Sequence, residues 1–540
     1  MINQIKRLAP VLMLGLGIQA CGTLGQQPTT KTLATSTILA EAHQTASRIT
    51  DLKLKEAGLG SVAIFQAIAN DYRSAQETSL LIQDGPWKDW VLSQIGGVQA
   101  RSGDIRSAKA LATLLENGWA KERVESDIVI SLATHGQFGE AIQVASDITD
   151  ESTRTLALLN IVLHLAESGD FEGAERIAGM IPDQTKQKDE ISDVLDSPTR
   201  SWGYAYIANR LVRKHRMSEA LRVLQLMNDP VEQSIAVKTL VGISLQTDDY
   251  DQAQAILNSV TREQARTCGL IYLAMHYAGK GNIHKGLEIA RTIDSKQESA
   301  RCTHFPGKTL ALDPITKQSF VLMAAVNDGH TKNAQMTAEG FSAQEGRDHA
   351  RVSIAIAQAR DGDPEGGLNT VSTLSTQHSG EGLKEIALAY AKAGMRIQGI
   401  QIANRIESKE LREETLGQMV FNLALASDAA GALRILQDLP DEKDKKFAFI
   451  AIAEAQAASG NYTEALATTR LVEQGHDRAV VIGKVATIAT QNGNVQDVLT
   501  WVRDLHNPHQ RLYGLLGVAK ALLARSGEKE NTGDFPTDFH

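Results

Sequence analysis

The chain is poor in aromatic residues, in cysteine and in net positive charge. Aromatic residues make up 5% of its 540 residues, against a hydrophobic content of 42%. Together with abundant alanine, this balance suits closely packed helices with small interfaces rather than one large core. The formal charge is −9 and no basic stripe runs along the chain, which argues against nucleic acid as a partner.

The chain also lacks the motifs that carry catalysis. It has no phosphate-binding loop, no nucleophile elbow, no zinc-protease motif and no pair of cysteines at redox spacing. His506 and His509 flank a turn, but two histidines without a third ligand are a weak indication of a metal site. The sequence therefore predicts a protein that is not an enzyme and holds no metal or cofactor.

What the chain does contain is a repeat with a period of about 33 residues, which is typical of solenoids whose stacked units bury each other's apolar faces. Its anchor is a turn residue, followed two positions later by an apolar residue and five positions later by Ala, as in Gly136, Phe138 and Ala141. The interval between anchors is nearly constant, except for two longer steps, from 169 to 215 and from 281 to 329. The anchors fall at 70, 103, 136, 169, 215, 248, 281, 329, 362, 394, 427, 460 and 493.

Each unit has the hydrophobic spacing of two helices. Before the anchor Gly460, the apolar residues Ile450, Ala453 and Ala457 recur at three- and four-residue steps. Glycine at the anchor suits the left-handed conformation that ends a helix, and a second helix begins at Tyr462. We therefore predict an all-α fold, an α-solenoid of about 13 helix–turn–helix repeats.

The anchor pattern resembles that of the tetratricopeptide repeat family. The glycine, the aromatic residue two positions later and the alanine five positions later match cleanly at 136, 169 and 460, and only in part at 215, 362 and 394. The resemblance covers roughly 60–526 and implies a right-handed superhelix that binds other proteins. A HEAT-like helical array is the alternative.

The N-terminus has the pattern of a targeting segment. Lys6 and Arg7 precede the apolar run Leu8–Ile18, which is too short to span a bilayer as a helix. The run leads into Cys21, and the segment resembles a bacterial lipoprotein signal. That resemblance implies that Cys21 is lipidated, and Gly22 after it points to the outer membrane. The alternative is an ordinary secretory signal and a soluble periplasmic or secreted protein.

The chain is accordingly divided as follows. We predict a signal peptide at 1–20, a flexible tether at 21–31, an N-terminal capping helix at 32–59, the solenoid at 60–526, and a disordered tail at 527–540. The two long steps imply insertions near 183–197 and 295–314, both between a second helix and the next first helix. Insertions in solenoids often carry binding, and the alternative is that both are tolerated surface loops.

Two cysteines remain besides Cys21. Cys268 and Cys302 are separated by close to one repeat, so their side chains can meet if neighbouring first helices pack side by side. An exported protein sits in an oxidising space. The sequence leaves open a disulfide between them or two buried free thiols.

A basic and aromatic segment stands out in the acidic chain. On a helix through 202–215, Tyr206, Arg210, Arg213 and Lys214 fall on related turns, and such a face can receive an acidic peptide or a C-terminal carboxylate. The alternative is that the aromatic residues pack in the core and the cations are solvated.

These features predict a lipid-anchored scaffold that mediates protein–protein interactions on the periplasmic side of the bacterial outer membrane. The competing hypothesis is a non-catalytic module that binds an envelope glycan or small molecule, or activates an enzyme. Self-association is a further possibility.

Overall fold

A computed structural model describes most of the chain. The described residues are 30–182, 200–228, 230–293, 314–341, 344–372, 374, 376–425, 428–436, 442–473, 475–493 and 495–525. The predicted signal peptide with Cys21, nearly all of the tether, both insertions with Cys302, and the tail at 527–540 lie outside these ranges.

The described residues form 28 α-helices and no strand, which confirms the predicted all-α repeat fold. The first helices of the repeats are α2 (Leu52–Ile68), α4 (Pro86–Arg101), α6 (Gly118–Thr134), α8 (Glu151–Ser168), α10 (Arg200–Arg213), α12 (Pro230–Gln246), α14 (Glu263–Gly279), α16 (Pro314–Asn327), α18 (Gln344–Arg360), α20 (Thr376–Lys392), α22 (Lys409–Leu425), α24 (Glu442–Ala458), α26 (His476–Asn492) and α28 (Pro508–Arg525).

A second helix follows each first helix from α2 to α26, and α1 (Thr30–Ser47) precedes them all. The second helices are α3 (Tyr72–Ser79), α5 (Ile105–Leu114), α7 (Phe138–Asp147), α9 (Phe171–Met180), α11 (Met217–Leu224), α13 (Tyr250–Ser259), α15 (Ile283–Thr292), α17 (Thr331–Glu339), α19 (Pro364–Val371), α21 (Arg396–Ala403), α23 (Ala429–Leu436), α25 (Tyr462–Thr469) and α27 (Val495–Arg503).

The anchors end the first helices as their composition predicts. Every described anchor except Gly493 has a positive φ between 54° and 92°, including the non-glycine residues Asn70, His215 and Asp248. Gly493 has a φ of −129°. The left-handed residue turns the chain back, so that the second helix packs against the first.

Small residues let the first helices come close to the helices next to them. A Cβ atom on Gly269 of α14 would lie 2.5 Å from Leu257 Cδ2, and one on Gly96 of α4 would lie 2.9 Å from both Leu111 and Val124. Larger side chains at these positions would therefore force the helices apart.

The helices divide into two compact units. One comprises Leu132–Ala389 with Asn404–Ser408, and the other comprises residues up to Ser131 together with Tyr390–Ala403 and the chain from Lys409 onwards. The second unit thus contains both ends of the repeat array.

Within that unit the first and last helices of the array pack together. Ile38 and Leu39 of α1 share a buried cluster with Tyr513 and Leu516 of α28. Among the described residues no first helix precedes α1 and no second helix follows α28, so these two helices complete one composite repeat.

A surface ion pair and a close approach add to this junction. Arg503 Nη2 of α27 lies 2.6 Å from Glu41 Oε2 of α1, although the two residues are far apart in the chain. Leu512 is fully buried, and its Cδ2 would lie 2.5 Å from a Cβ on Gly58 of α2. The junction therefore joins α28 to both α1 and α2.

The N-terminal region differs from the single capping helix expected over 32–59. It contains α1, a break at residues 48–51, and then the beginning of α2. Asp51 ends the break, because its carboxylate accepts a hydrogen bond from the Leu54 amide and caps α2.

We predict that the junction of the two ends can be measured as an energetic coupling. Gly58→Ala places a methyl group against Leu512 and should lower the free energy of unfolding by about 1–3 kcal/mol. Leu512→Val relieves the clash, so the double variant should be more stable than the sum of the single effects predicts. Chemical denaturation of all four proteins gives the coupling.

Gly139→Ala is the matched control, since a Cβ at this helical position meets no atom within 4 Å. It should be neutral or stabilising by about 0.4–1 kcal/mol. If the changes at 58 and 512 have strictly additive effects on the free energy of unfolding, the contact between α2 and α28 is contradicted.

Candidate functional site

Side chains on the first helices are connected from one repeat to the next. With the anchor as position 0, the residue at −2 reaches the residue at −9 of the following repeat. Arg101 Nη1 lies 2.8 Å from Asp127 Oδ1, and Arg360 Nε lies 3.0 Å from Glu385 Oε2. In these two places the arginine at −2 is neutralised by an acid in the neighbouring repeat.

Two of the predicted binding residues take part in such a connection. The Tyr206 hydroxyl, at −9, donates a 2.7 Å hydrogen bond to Glu167 Oε1, at −2 of the preceding repeat. Arg210 is ion-paired with the same carboxylate and donates to the Tyr206 hydroxyl at 2.8 Å. Burial alone would raise the pKa of Glu167, but the bonds from Tyr206 and Arg210 hold it below its ordinary value. The side chains of Tyr206 and Arg210 are therefore already bound to Glu167 within the protein.

The other two predicted residues have no acid partner in the described part of the chain. Arg213 Nε donates to Asn209 Oδ1 at 3.0 Å, and the side chains of Arg213 and Lys214 are exposed. Arg213 stands at −2, but position −9 of the next repeat is Thr239. Arg213 therefore has no carboxylate at the position where Arg101 and Arg360 have one.

The structure adds Lys238 and Tyr272, which the sequence analysis did not single out. Tyr272 stands at −9 in α14, in register with Thr239 and Tyr206, and is 38% exposed. Lys238 Nζ lies 5.8 Å from the centre of the Tyr272 ring, and burial lowers the pKa of this lysine. A Cβ on Gly242 would lie 3.0 Å from the ring, so glycine leaves it room to lie against α12.

The consecutive first helices α10, α12 and α14 thus carry Arg213 at −2, Lys238 at −10 and Tyr272 at −9. No described acid pairs with either cation. A repeat-by-repeat comparison of positions −2 and −9 would have found this gap in the sequence. We call Arg213, Lys214, Lys238 and Tyr272 the cationic face.

A second recurring contact joins each loop to the next first helix. An arginine at −15 donates to the main-chain carbonyl at +12 of the preceding repeat, at 2.5–3.0 Å. The pairs are Arg154 with Ile148, Arg200 with Ile181, Arg347 with Phe341, Arg478 with Val472 and Arg511 with Leu505.

The sequence carries this signal as well. Position −15 is Lys or Arg in every repeat except three, where it is Gln233, Pro314 or Ser379. The corresponding residue of α28 is also basic. At Gln233 the shorter side chain donates instead to the Leu224 carbonyl at 3.1 Å. A pocket of about 120 Å³ opens there, bordered by Met227, Gln233 and Arg262 among others.

Of the two cysteines in the predicted pair, Cys268 lies among the described residues. Cys268 in α14 is 1% exposed and is disulfide-bonded. Cys302 lies outside the described residues, as does the predicted lipidation site Cys21. The pairing of Cys268 with Cys302 therefore stays a prediction.

The two histidines near the C-terminus lie in different surroundings, since His506 is exposed and His509 is buried. His509 is 5% exposed and its Nε2 lies 3.4 Å from His476 Nδ1. Burial lowers the pKa of His509 to about 4, and His476 acts in the same direction. His509 is therefore a neutral packing residue at pH 7. Over the described ranges, no three metal-ligating side chains come together, and no helix is both long and apolar enough to cross a membrane.

Comparison with known proteins gives structural likenesses only. No family model matches the chain, and no curated protein matches it. Among solved structures, Ton1535 from Thermococcus onnurineus NA1 is 16% identical, with 72% of this chain and 97% of that chain covered, at a TM-score of 0.22. The pentatricopeptide repeat protein PPR10 from maize is 12% identical over 98% and 74%, at 0.29.

A third similar structure is the APC/C hetero-tetramer Cut9–Hcn1, which is 13% identical over 92% of this chain and 99% of that chain, at a TM-score of 0.25. TM-scores this low carry no argument about function. The fold assignment therefore rests on the helices themselves.

Proposed function

We propose that this protein is a non-catalytic helical-repeat scaffold that binds another protein through its cationic face. The observation that carries the proposal is the missing acid opposite Arg213. The equivalent arginines Arg101 and Arg360 are neutralised within the array, whereas Arg213 has no described acid partner and Lys238 lies over an exposed tyrosine ring.

The chemistry of the face indicates the partner. Arginine binds carboxylates with two parallel hydrogen bonds, and tyrosine supplies a rigid contact surface with little loss of conformational entropy. We therefore infer that the partner presents an acidic segment.

The proposed location is the bacterial envelope. The lipoprotein-like N-terminus supports an anchor at Cys21 on the periplasmic side of the outer membrane, because several acyl chains on one residue hold a protein stably at a bilayer. A scaffold anchored in this way would hold its partner close to the membrane. Self-association is compatible with this role.

The second candidate is a glycan-binding or enzyme-activating module. Its supporting observation is the exposed Tyr272 ring lying against α12 at Gly242, since flat aromatic rings also stack on sugars. Capture of an envelope glycan without any protein would favour this candidate.

We predict that reversing the charge of two exposed cations strongly reduces partner capture. Arg213→Glu combined with Lys214→Glu replaces attraction by repulsion, and should reduce the amount of co-purified protein about tenfold or more. The measurement is affinity purification of the full-length protein from the cells that make it, followed by quantitative mass spectrometry.

The matched control is Arg291→Glu with Lys332→Glu, which makes the same charge change on the exposed second helices α15 and α17. Capture by the control should equal that of the unaltered protein. If both double variants retain the same proteins, the cationic face is not the binding site.

We further predict that Cys21→Ser prevents lipidation. The altered protein should lose incorporation of an alkyne-labelled fatty acid and should move from the membrane fraction to the soluble fraction, because no acyl chain can form on serine through this route. Cys268→Ser serves as the control and should keep both the label and the membrane association. Unlabelled protein before any substitution would rule out the anchor.

A further inference from the structure

A cluster of aromatic side chains lies where α28 meets its neighbours on both sides. His509 Nε2 of α28 lies 3.4 Å from His476 Nδ1 of α26. The centre of the Tyr513 ring, one turn further along α28, is 5.0 Å from that of His509 and 5.4 Å from that of His476. Tyr513 is fully buried, and its hydroxyl also faces Ser61 of α2. The cluster therefore connects α26 to the junction of the two chain ends.

Both imidazoles stand at the start of a helix. His476 is the first residue of α26, and His509 is the second residue of α28. The amide groups at a helix N-terminus carry a partial positive charge, which disfavours a cation beside them. A proton on His509 would also face the His476 ring, and because His509 is 5% exposed, little water can solvate the charge. The geometry thus favours the neutral form of His509.

Two titratable side chains act on His509 from the described elements packed against α28. His476 of α26 disfavours the charged form, while Asp51 at the N-cap of α2 favours it. Asp51 is exposed, which weakens its attraction. The acid on α1, Glu41, is paired with Arg503 of α27. Burial and His476 together outweigh Asp51, and they lower the pKa of His509 to about 4.

Acid therefore weakens the contacts that bury His509. A histidine exposed to water takes up a proton near pH 6.5, whereas His509 in its buried place does so near pH 4. Below pH 6.5 the released form consequently binds more protons than the buried form. The stability that neutral His509 contributes is present above pH 6.5 and is lost progressively as the pH falls toward 4.

The connections of the chain determine which contact of α28 opens first. α26 and α28 are tied together through α27, whereas α28 is connected to α1 and α2 only through the rest of the array. Separating the two ends therefore gains more conformational entropy than separating neighbouring repeats. The ion pair between Glu41 and Arg503 is partly exposed, so it adds little to the junction.

We infer that the junction of the two chain ends is an acid-sensitive contact, in which a proton on His509 releases α28 from α1 and α2. Since His509 and Tyr513 lie one turn apart on the same face of α28, movement of the imidazole into water also withdraws Tyr513 from Ser61. The inference concerns the junction alone and does not depend on the proposed binding function.

The test compares two dye pairs on the full-length protein by energy transfer. An encoded ketone amino acid places dyes at Gln44 of α1 and Asp497 of α27, two exposed positions on either side of the junction. The control pair is Glu464 of α25 with Asp497, which are exposed on neighbouring second helices within the array. Urea titrations at pH 7, 6, 5 and 4 measure the separation of each pair.

The junction pair should separate at a lower urea concentration than the control pair, and the difference should widen as the pH falls. Between pH 7 and pH 4, His509 should raise the equilibrium constant for opening about 100-fold. His509→Gln and His509→Phe should remove this rise, because neither side chain takes up a proton, and phenylalanine keeps a ring in the buried site. His506→Gln, at an exposed histidine, should behave like the unaltered protein.

The inference is overturned if both dye pairs separate at the same urea concentration at every pH. It is also overturned if the junction pair keeps its full pH dependence in the His509 variants. The comparison of the two pairs is made with His509 in place, so it decides the matter even where a variant fails to fold.

Discussion

Each repeat of this protein buries its apolar surface against its neighbours and holds no core of its own. A linear array of such units would expose an apolar face at each end. Over the described ranges α28 has no second helix after it and α1 has no first helix before it, and the two pack together within one unit. The ends of the chain therefore supply to each other the contact that every internal repeat obtains from the next one along the sequence.

Because the repeats share contacts at equivalent positions, a residue that does not make the shared contact is a candidate for function. Arginine at −2 meets an acid at −9 for Arg101 and Arg360, but Arg213 meets Thr239. Arginine at −15 meets a carbonyl in five repeats, but Gln233 leaves a pocket. Both departures occur between α10 and α14, in consecutive repeats.

The sequence predicted what is local and periodic. The anchors located the turns, and helical spacing on either side located two helices in each unit. The pairing of α1 with α28 could not be predicted, because a contact between residues far apart in the chain produces no periodic pattern in the sequence. The engagement of Arg210 by Glu167 was missed because the long step between the anchors at 169 and 215 moves the two out of their usual spacing. The basic residue at −15 could be found in the sequence. Its role could not be predicted, because its hydrogen-bond partner is a main-chain carbonyl whose position depends on the fold.

The most direct test of the account places a photo-crosslinking amino acid at Thr239, the position that faces Arg213 in register and adjoins Lys238. Irradiation of intact cells followed by mass spectrometry should give one dominant adduct with a protein that carries an acidic segment. The same amino acid at Lys332, on a second helix, should not give that adduct. Equal adducts at both positions, or none with any protein at 239, would contradict a scaffold that binds through this face.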